Sequence, residues 1–348
     1  MSRYVGEVRV AASGIGSGTE RRRATIHDVA RSAGVSRQTV SRALNDKAEI
    51  DGATKQRVLD AARALDYRPS RFARGLVRQD TTSIGLVIPD LRNPFFTEVA
   101  SSALEAARGR DWHVVIYDTQ DNPEQELSTM RVIGSQVDAI VGYFRQPEEE
   151  LDRYAAGMPV VFIDREPHST RFSAIRIDGE AGVREAIAHL VSAGHHRIGM
   201  LDHNRRPEPS DRRRWFAAAT AAHGLEQDAS WVVGADQSVE GGERALGRLR
   251  AAHPELTAVF TFNDIIAIGA IRHARVAGLR VPADLAVIGF DGLELGSIVE
   301  PPLSSVGIDT RRLGELAIEQ IARLLTGAEP LRPAELVVRA ALRLRGSG

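Results

Sequence analysis

The sequence predicts an α/β protein built from two kinds of unit, a small all-helical head and a larger two-lobed core of doubly wound parallel sheets. Three observations lead there. Residues 25–65 carry apolar positions at helical spacing. From Thr81 onward, near-continuous apolar runs alternate with helical stretches, the pattern of strands buried on both faces and joined by crossover helices. Those runs are too many for one compact sheet of this kind, so two lobes are expected. A chain of 348 residues with 43% hydrophobic content is long enough to give each unit a core.

The head starts at Thr25, a predicted N-cap with Asp28 three positions on, like a capping box. Ile26, Val29, Ala30 and Ala33 form one apolar stripe, and Gly34 stops the helix. Ser36 caps a second helix with Val40, Ala43 and Leu44 inward, which leaves Arg37, Gln38, Ser41 and Arg42 on the opposite face. A third helix from Thr54 carries Val58, Leu59, Ala62 and Leu65 on one face. It ends at Tyr67-Arg68-Pro69, because the residue before proline leaves helical geometry.

The outer face of the second helix suits the major groove of DNA. An Arg fork matches guanine O6 and N7, and a Gln amide matches adenine N6 and N7. An ordinary solvated helix face is the competing explanation. Charge distribution favours the first: residues 21–78 hold 14 Lys and Arg against 6 Asp and Glu, while the remainder holds 31 against 40. A basic head on an acidic body is drawn to phosphates, with an affinity that falls steeply with salt. Arg is abundant throughout, since Lys occurs only at Lys47 and Lys55.

After the head, Ser70 to Asp80 has helix-compatible apolar positions at Phe72, Ala73, Leu76 and Val77, yet it is too short to be stable alone, and Gly75 weakens it by about 1 kcal/mol. Strand-like runs in the core cover 83–89, 112–118, 138–144, 159–164, 197–201, 257–264 and 285–291. Their carboxyl ends carry Asp90, Asp118, Tyr143, Asp164, Arg165, Asp202, Asn263, Asp264 and Asp291. Open parallel sheets place their ligand crevice at those ends. Carboxylates, amides, Arg and aromatic faces on two facing lobes are equipment for a polyhydroxylated small molecule. Asp90 and Asp118 read as turn residues, and Asp264 as an N-cap for the helix after it.

The stretch TIHDVARSAGVSRQTVSRALN, residues 25–45, resembles the headpiece of the LacI/GalR family of bacterial transcription regulators. The likeness runs to about Arg343. It implies DNA contacts at Thr25, Ser36, Arg37, Gln38, Thr39, Ser41, Arg42 and Asn45. It also implies a hinge helix whose ARxL pattern places Arg74 and Leu76 at the minor groove, Leu76 as an apolar wedge; a plain linker is the alternative. The core resembles periplasmic sugar-binding proteins.

Residue by residue, Asn93-Pro94-Phe95-Phe96 matches the family's NPFF motif, which implies a pocket role for Phe95 and Phe96. Tyr143 stands at the carboxyl end of the third strand, and Arg165 follows the fourth as in the family's DR. Arg212 falls in RxRGF, with Trp215 in place of the usual Gly. Gln237 is aligned through the EGGERAL after it. Asn263 matches NDxxAxG, and Asp291 matches the VIGFD aspartate that pairs with ligand hydroxyls or ring nitrogens. For Asp291 and Arg212, a buried ion pair between the lobes is the alternative role.

The implied domains are a disordered extension at 1–23, the helix-turn-helix headpiece at 24–69, the hinge at 70–80 and the effector-binding core at 81–345. Within the core, the N-lobe covers about 81–165 and 304–328 and the C-lobe about 166–303 and 329–345. The segment 301–325 resembles the one that returns to the first lobe.

Several chemistries are set aside. The chain has no Cys, so disulfides and thiol catalysis are absent. No apolar run reaches membrane-spanning length, and VRVAAS near the start is too short for a secretory signal. The ten His show no HExxH spacing, so no metal and no cofactor are expected. No nucleophilic or proton-transfer constellation suggests an enzyme. The expectation is a cytoplasmic protein, nucleoid-associated when DNA-bound. Its partners are double-stranded operator DNA, a sugar-like effector and a second copy in a homodimer, or a higher oligomer.

Overall fold

The computed structural model describes residues 26–44, 50–65, 82–134, 136–155, 157–165, 172–204, 209–225, 228–328 and 336–348. The chain divides into two compact units, residues 1–80 and 81–348. In the first, α1 (Ile26–Ala33), α2 (Arg37–Leu44) and α3 (Gly52–Ala64) enclose Val29, Ala30, Val40, Ala43, Val58, Ala61 and Ala62. Gly34 at φ 67° makes the turn after α1, a left-handed conformation that favours glycine. Ser36 caps α2: its Oγ accepts from the Thr39 amide at 3.1 Å.

The third helix differs from expectation. It begins two residues before Thr54, because the Asp51 carboxylate accepts from the Thr54 amide at 2.9 Å. Leu65 is exposed rather than inward, and Ala61 takes the buried place. The expected N-cap Thr25, Asn45 and the whole hinge with Arg74 and Leu76 lie outside the described residues.

The second unit contains two six-stranded sheets among the described residues. The first lobe comprises β1 (Ser83–Ile88), α4 (Pro94–Arg108), β2 (His113–Asp118), α5 (Pro123–Ile133), β3 (Ala139–Gly142), α6 (Glu148–Ala155), β4 (Val160–Ile163) and β5 (Ser173–Asp178). The second comprises α7 (Glu180–Ser192), β6 (Ile198–His203), α8 (Asp211–Ala222), β7 (Val232–Ala235), α9 (Val239–Ala252), β8 (Ala258–Thr261), α10 (Asp264–Val276), β9 (Ala286–Asp291) and β10 (Ser304–Gly307). The chain then returns through α11 (Thr310–Thr326), and finishes with β11 (Val337–Arg339) and β12 (Ala341–Arg343).

The strand orders are β11-β5-β4-β3-β1-β2 and β12-β10-β9-β8-β6-β7. Among the described residues every strand pairing is parallel except β10 with β12. Each lobe therefore reverses its strand order beside its first strand, the switch point at which such sheets open a crevice.

The expected lobe boundaries shift at three places. β5 pairs with β4, so the first lobe extends to Asp178 rather than ending near 165. β10 pairs with β9, so Ser304–Gly307 belongs to the second lobe, and only from α11 does the chain rejoin the first. β11 pairs with β5, which returns Val337–Arg339 to the first lobe instead of the second. The lobes are thus joined by three short crossings. Two of these are bonded to one another, the Ala340 amide to the Asp178 carbonyl at 2.8 Å.

Five strands escaped the reading of apolar runs, because SAIRID, VVGA, SSVG and the two terminal three-residue strands are short or interrupted by polar residues. β2 is an edge strand with partly exposed residues, not one buried on both faces. α11 behaves as expected. Its apolar stripe of Leu313, Leu316, Ala317, Ile318 and Ile321 is buried, and the helix packs on α4 and the first sheet.

Candidate functional site

Two surfaces carry the candidate chemistry. On the head, Arg37, Gln38 and Arg42 of α2 are exposed, as is Ser36, while Thr39 is half-buried and bonded to the Ser36 hydroxyl at 2.9 Å. The buried side of the same helix holds Val40 and Ala43. A rigid three-helix core thus presents the long polar side chains outward. Ser41 lies within α2, though its side chain is outside the described set.

In the core, a cleft opens between the lobes at the carboxyl ends of their strands. The first lobe lines it with Asp90, Asn93, Phe95, Phe96, Thr119, Asp121, Glu126, Tyr143, Phe144, Arg145, Ile163 and Asp164, and the second with Arg212, Gln237, Phe262, Asn263 and Asp291. Local sequence explains these placements. Asn93 caps α4 by accepting from the Phe95 amide at 3.0 Å, and Pro94 begins the helix. Phe95 is then driven into the core, while Phe96 is half-buried at the cleft and meets the Tyr143 ring edge-on at 4.9 Å. The Tyr143 hydroxyl is buried and has no hydrogen-bond partner. Burial and the nearby Asp164 and Asp291 push its pKa well up, so it remains a neutral hydroxyl.

The second lobe's wall is organised by Arg212. Buried Asp202 at the end of β6 accepts from the Ser210 hydroxyl at 2.7 Å, and Ser210 in turn caps α8 through the Arg213 amide at 3.0 Å. That fixes the first turn of α8 and with it Arg212. The guanidinium lies between the faces of Phe262 and Phe290, 4.2 and 3.9 Å from their centroids. It donates to the Phe262 carbonyl at 2.5 Å and to the Asp291 carboxylate at 3.3 Å. Such a partly desolvated cation–π pair contributes roughly 1–2 kcal/mol.

Both ends of the Arg212–Asp291 pair belong to the second lobe, so it is not the inter-lobe bridge that was the alternative expectation. Burial raises the Asp291 pKa well above its ordinary value, against the opposing pull of Arg212. Asp291 also sits at φ 113°, followed by Gly292 at φ 74°. Strain of this kind persists only where surrounding contacts hold it.

Those contacts come from Asp264. It was expected to cap α10, but Asn263 does so, accepting from the Ile266 amide at 3.0 Å. Asp264 is instead fully buried, accepting from the Leu293 amide at 2.7 Å and the Ser305 hydroxyl at 2.5 Å. Ser305 Oγ in turn accepts from the Gly292 amide at 3.0 Å. Asn263 also donates to Gln237 Oε1 at 3.2 Å, which sets two amides side by side on the cleft wall.

Seven of the eight expected effector residues therefore meet in one cleft: Phe95, Phe96, Tyr143, Arg212, Gln237, Asn263 and Asp291. Arg165 does not. Its guanidinium turns to the Gln146 carbonyl at 2.7 Å and lies over the Phe162 ring at 5.0 Å, bracing the loop after β3. Asp118 is a turn residue that accepts from the Gln120 amide at 2.8 Å, whereas Asp90 both turns the chain and lines the cleft. Asp121, Glu126 and Arg145 were not foreseen. Their only sequence signal is position, Asp121 and Arg145 just past the ends of β2 and β3 and Glu126 in the first turn of α5, and they interact across the fold rather than along the chain.

Residues 25–70 match the family model for bacterial regulatory proteins, lacI family, and residues 187–348 match a periplasmic binding protein-like domain. The HTH-type transcriptional repressor PurR of Photobacterium profundum is 34% identical over 301 residues, covering 85% of this chain and 90% of that protein. The chain belongs to the LacI family. Its solved relatives include a LacI family transcriptional regulator from Arthrobacter in complex with lactose, 30% identical with a TM-score of 0.70, matched over 77% of this chain and 99% of that one. The transcriptional regulator CelR–cellobiose complex is 27% identical with a TM-score of 0.68, over 94% and 100%. As a LacI-family member this protein is a DNA-binding transcription regulator with an effector-binding core, and its relatives are regulators, not enzymes. Among the described residues no helix is long and apolar enough to cross a membrane.

Proposed function

We propose that this regulator is a homodimeric repressor whose two headpieces read a pseudo-palindromic operator, and that a sugar or sugar derivative bound between the core lobes switches operator affinity. The observation that carries the ligand reading is the cleft itself. Carboxylates, paired amides and the unpartnered Tyr143 hydroxyl stand beside the aromatic faces of Phe96 and Phe262, the mixture that binds hydroxyls through hydrogen bonds and a sugar ring by its apolar face. The complexes of two relatives with lactose and with cellobiose point the same way. Ligand contacts made from both lobes favour one degree of lobe closure over another, and a ligand shifts the conformational balance by that difference in affinity.

A second reading keeps the DNA regulator and replaces the sugar with a nucleobase or nucleoside acting as corepressor. The Gln237 and Asn263 amides, which can bond a heterocycle edge, favour it. Both readings place the ligand against Asp291. The test is a thermal-shift screen of sugars, sugar derivatives and nucleobases, followed by operator titrations with the stabilising compound. Asp291→Asn is expected to retain operator binding and lose the ligand response; an unchanged dose curve would contradict the assignment.

A further inference from the structure

The charge lining the cleft narrows the ligand beyond "small molecule". Among the described residues, five carboxyl groups and two guanidiniums line it. Both guanidiniums are committed within their own lobe. Arg212 is held by Asp291, the Phe262 carbonyl and two aromatic faces. Arg145, the only cation among the described lining residues of the first lobe, is ion-paired with Asp121, whose side chain is 5% exposed. A second carboxylate closes on the same loop: Glu126 accepts from the Arg145 amide at 3.0 Å and the Gln146 amide at 3.0 Å.

We propose that Asp121 sets the charge class of the ligand. By holding the Arg145 guanidinium it leaves the described lining of the cleft without an uncommitted cation, so that the site takes a hydroxyl-rich ligand bearing no anionic group and turns away phosphorylated or carboxylated relatives of that ligand. This rests on the cleft being the effector site. Two physical points carry it. A phosphate entering this cleft is stripped of water beside a surplus of carboxyl groups, and that cost is recovered chiefly by a free guanidinium or ammonium, since the helix N-termini that line the cleft are already capped by the Asn93 and Asn263 side chains. The buried, unpartnered hydroxyl of Tyr143 instead asks for a neutral donor or acceptor, such as a ligand hydroxyl.

Asp121→Asn isolates the charge. Asp121 sits at φ 55°, a left-handed conformation that Asn also adopts readily, and the amide keeps the side chain's size. Inorganic phosphate is the probe, titrated calorimetrically into the full-length wild type, Asp121→Asn, Arg145→Ala and the double variant.

The wild type is expected to show no phosphate binding that Arg145→Ala removes. Asp121→Asn is expected to bind phosphate about tenfold or more tightly than the wild type, the worth of one charge-assisted bond to a guanidinium, and the double variant to lose that gain. Phosphate binding by the wild type that disappears in Arg145→Ala would overturn the proposal, as would equal affinities in the wild type and a folded Asp121→Asn. The wild-type comparison stands even if the Asn variant is unstable. Operator binding by the wild type is measured separately, so failure of the regulator reading and failure of the charge assignment are told apart.

Discussion

At the scale of single residues, the cleft depends on buried polar groups whose charges are expensive to keep. Asp264 is the clearest case. Burial pushes its carboxyl from an ordinary 3.8 up to about 6, against hydrogen bonds from Ser305 and Leu293 that favour the anion. The folded state therefore holds this proton more tightly than the unfolded chain does. Its contribution to stability is complete below about pH 4 and is lost as pH rises through about 6. Burial shifts Asp291 and Glu126 in the same direction. Thermal melts between those pH values should show the wild type losing stability with rising pH more steeply than Asp264→Asn. Parallel curves would mean that the carboxyl does not titrate there. None of this was legible in the sequence. Asp264 and Asn263 are neighbours of similar capping ability, and only the distant Ser305 and Leu293 decide which one caps and which is buried.

At the scale of elements, the second lobe's wall is carried by the contact of α9 with α10. Small residues allow it: a Cβ added at Gly269 would stand 2.0 Å from the Val239 carbonyl oxygen, and one at Gly242 would stand 2.2 Å from that of Ile266. These distances are far inside van der Waals contact, so the helices must separate to admit a methyl group. Gln237 just precedes α9 and Asn263 caps α10, so their separation would disturb the amide pair. Gly269→Ala is expected to destabilise the core by about 1–3 kcal/mol in denaturant titrations, with weakened ligand stabilisation. A neutral result would show that the helix pair adapts. The alternation of strands and helices, the two-lobe division and the crevice at the strand ends were all readable from hydrophobic periodicity. The lobe assignments of β5, β10 and β11 were not, because a strand of three to six residues carries no mark of its partner. The placement of Arg165 was not legible for a related reason: its position after β4 matched the pattern, but only the folded loop after β3 offers its guanidinium the carbonyls it takes.

At the scale of the whole molecule, one chain joins a basic reading head to an acidic, ligand-receiving core. Seven of the eight expected effector residues converge in the cleft, while the unforeseen Asp121–Arg145 pair gives the same cleft its charge character. The head was the most legible part, since local helical spacing alone separates Val40 and Ala43 from Arg37, Gln38 and Arg42. The central claim is that this exposed face of α2 reads base sequence. The most direct measurement compares Arg37→Ala, Gln38→Ala and Arg42→Ala with the wild type on a selected operator and on random duplex at one fixed salt concentration. Each substitution is predicted to cost roughly 1–3 kcal/mol on the operator with little loss on random DNA. Equal losses on both would contradict the account and reduce this face to a phosphate-binding surface.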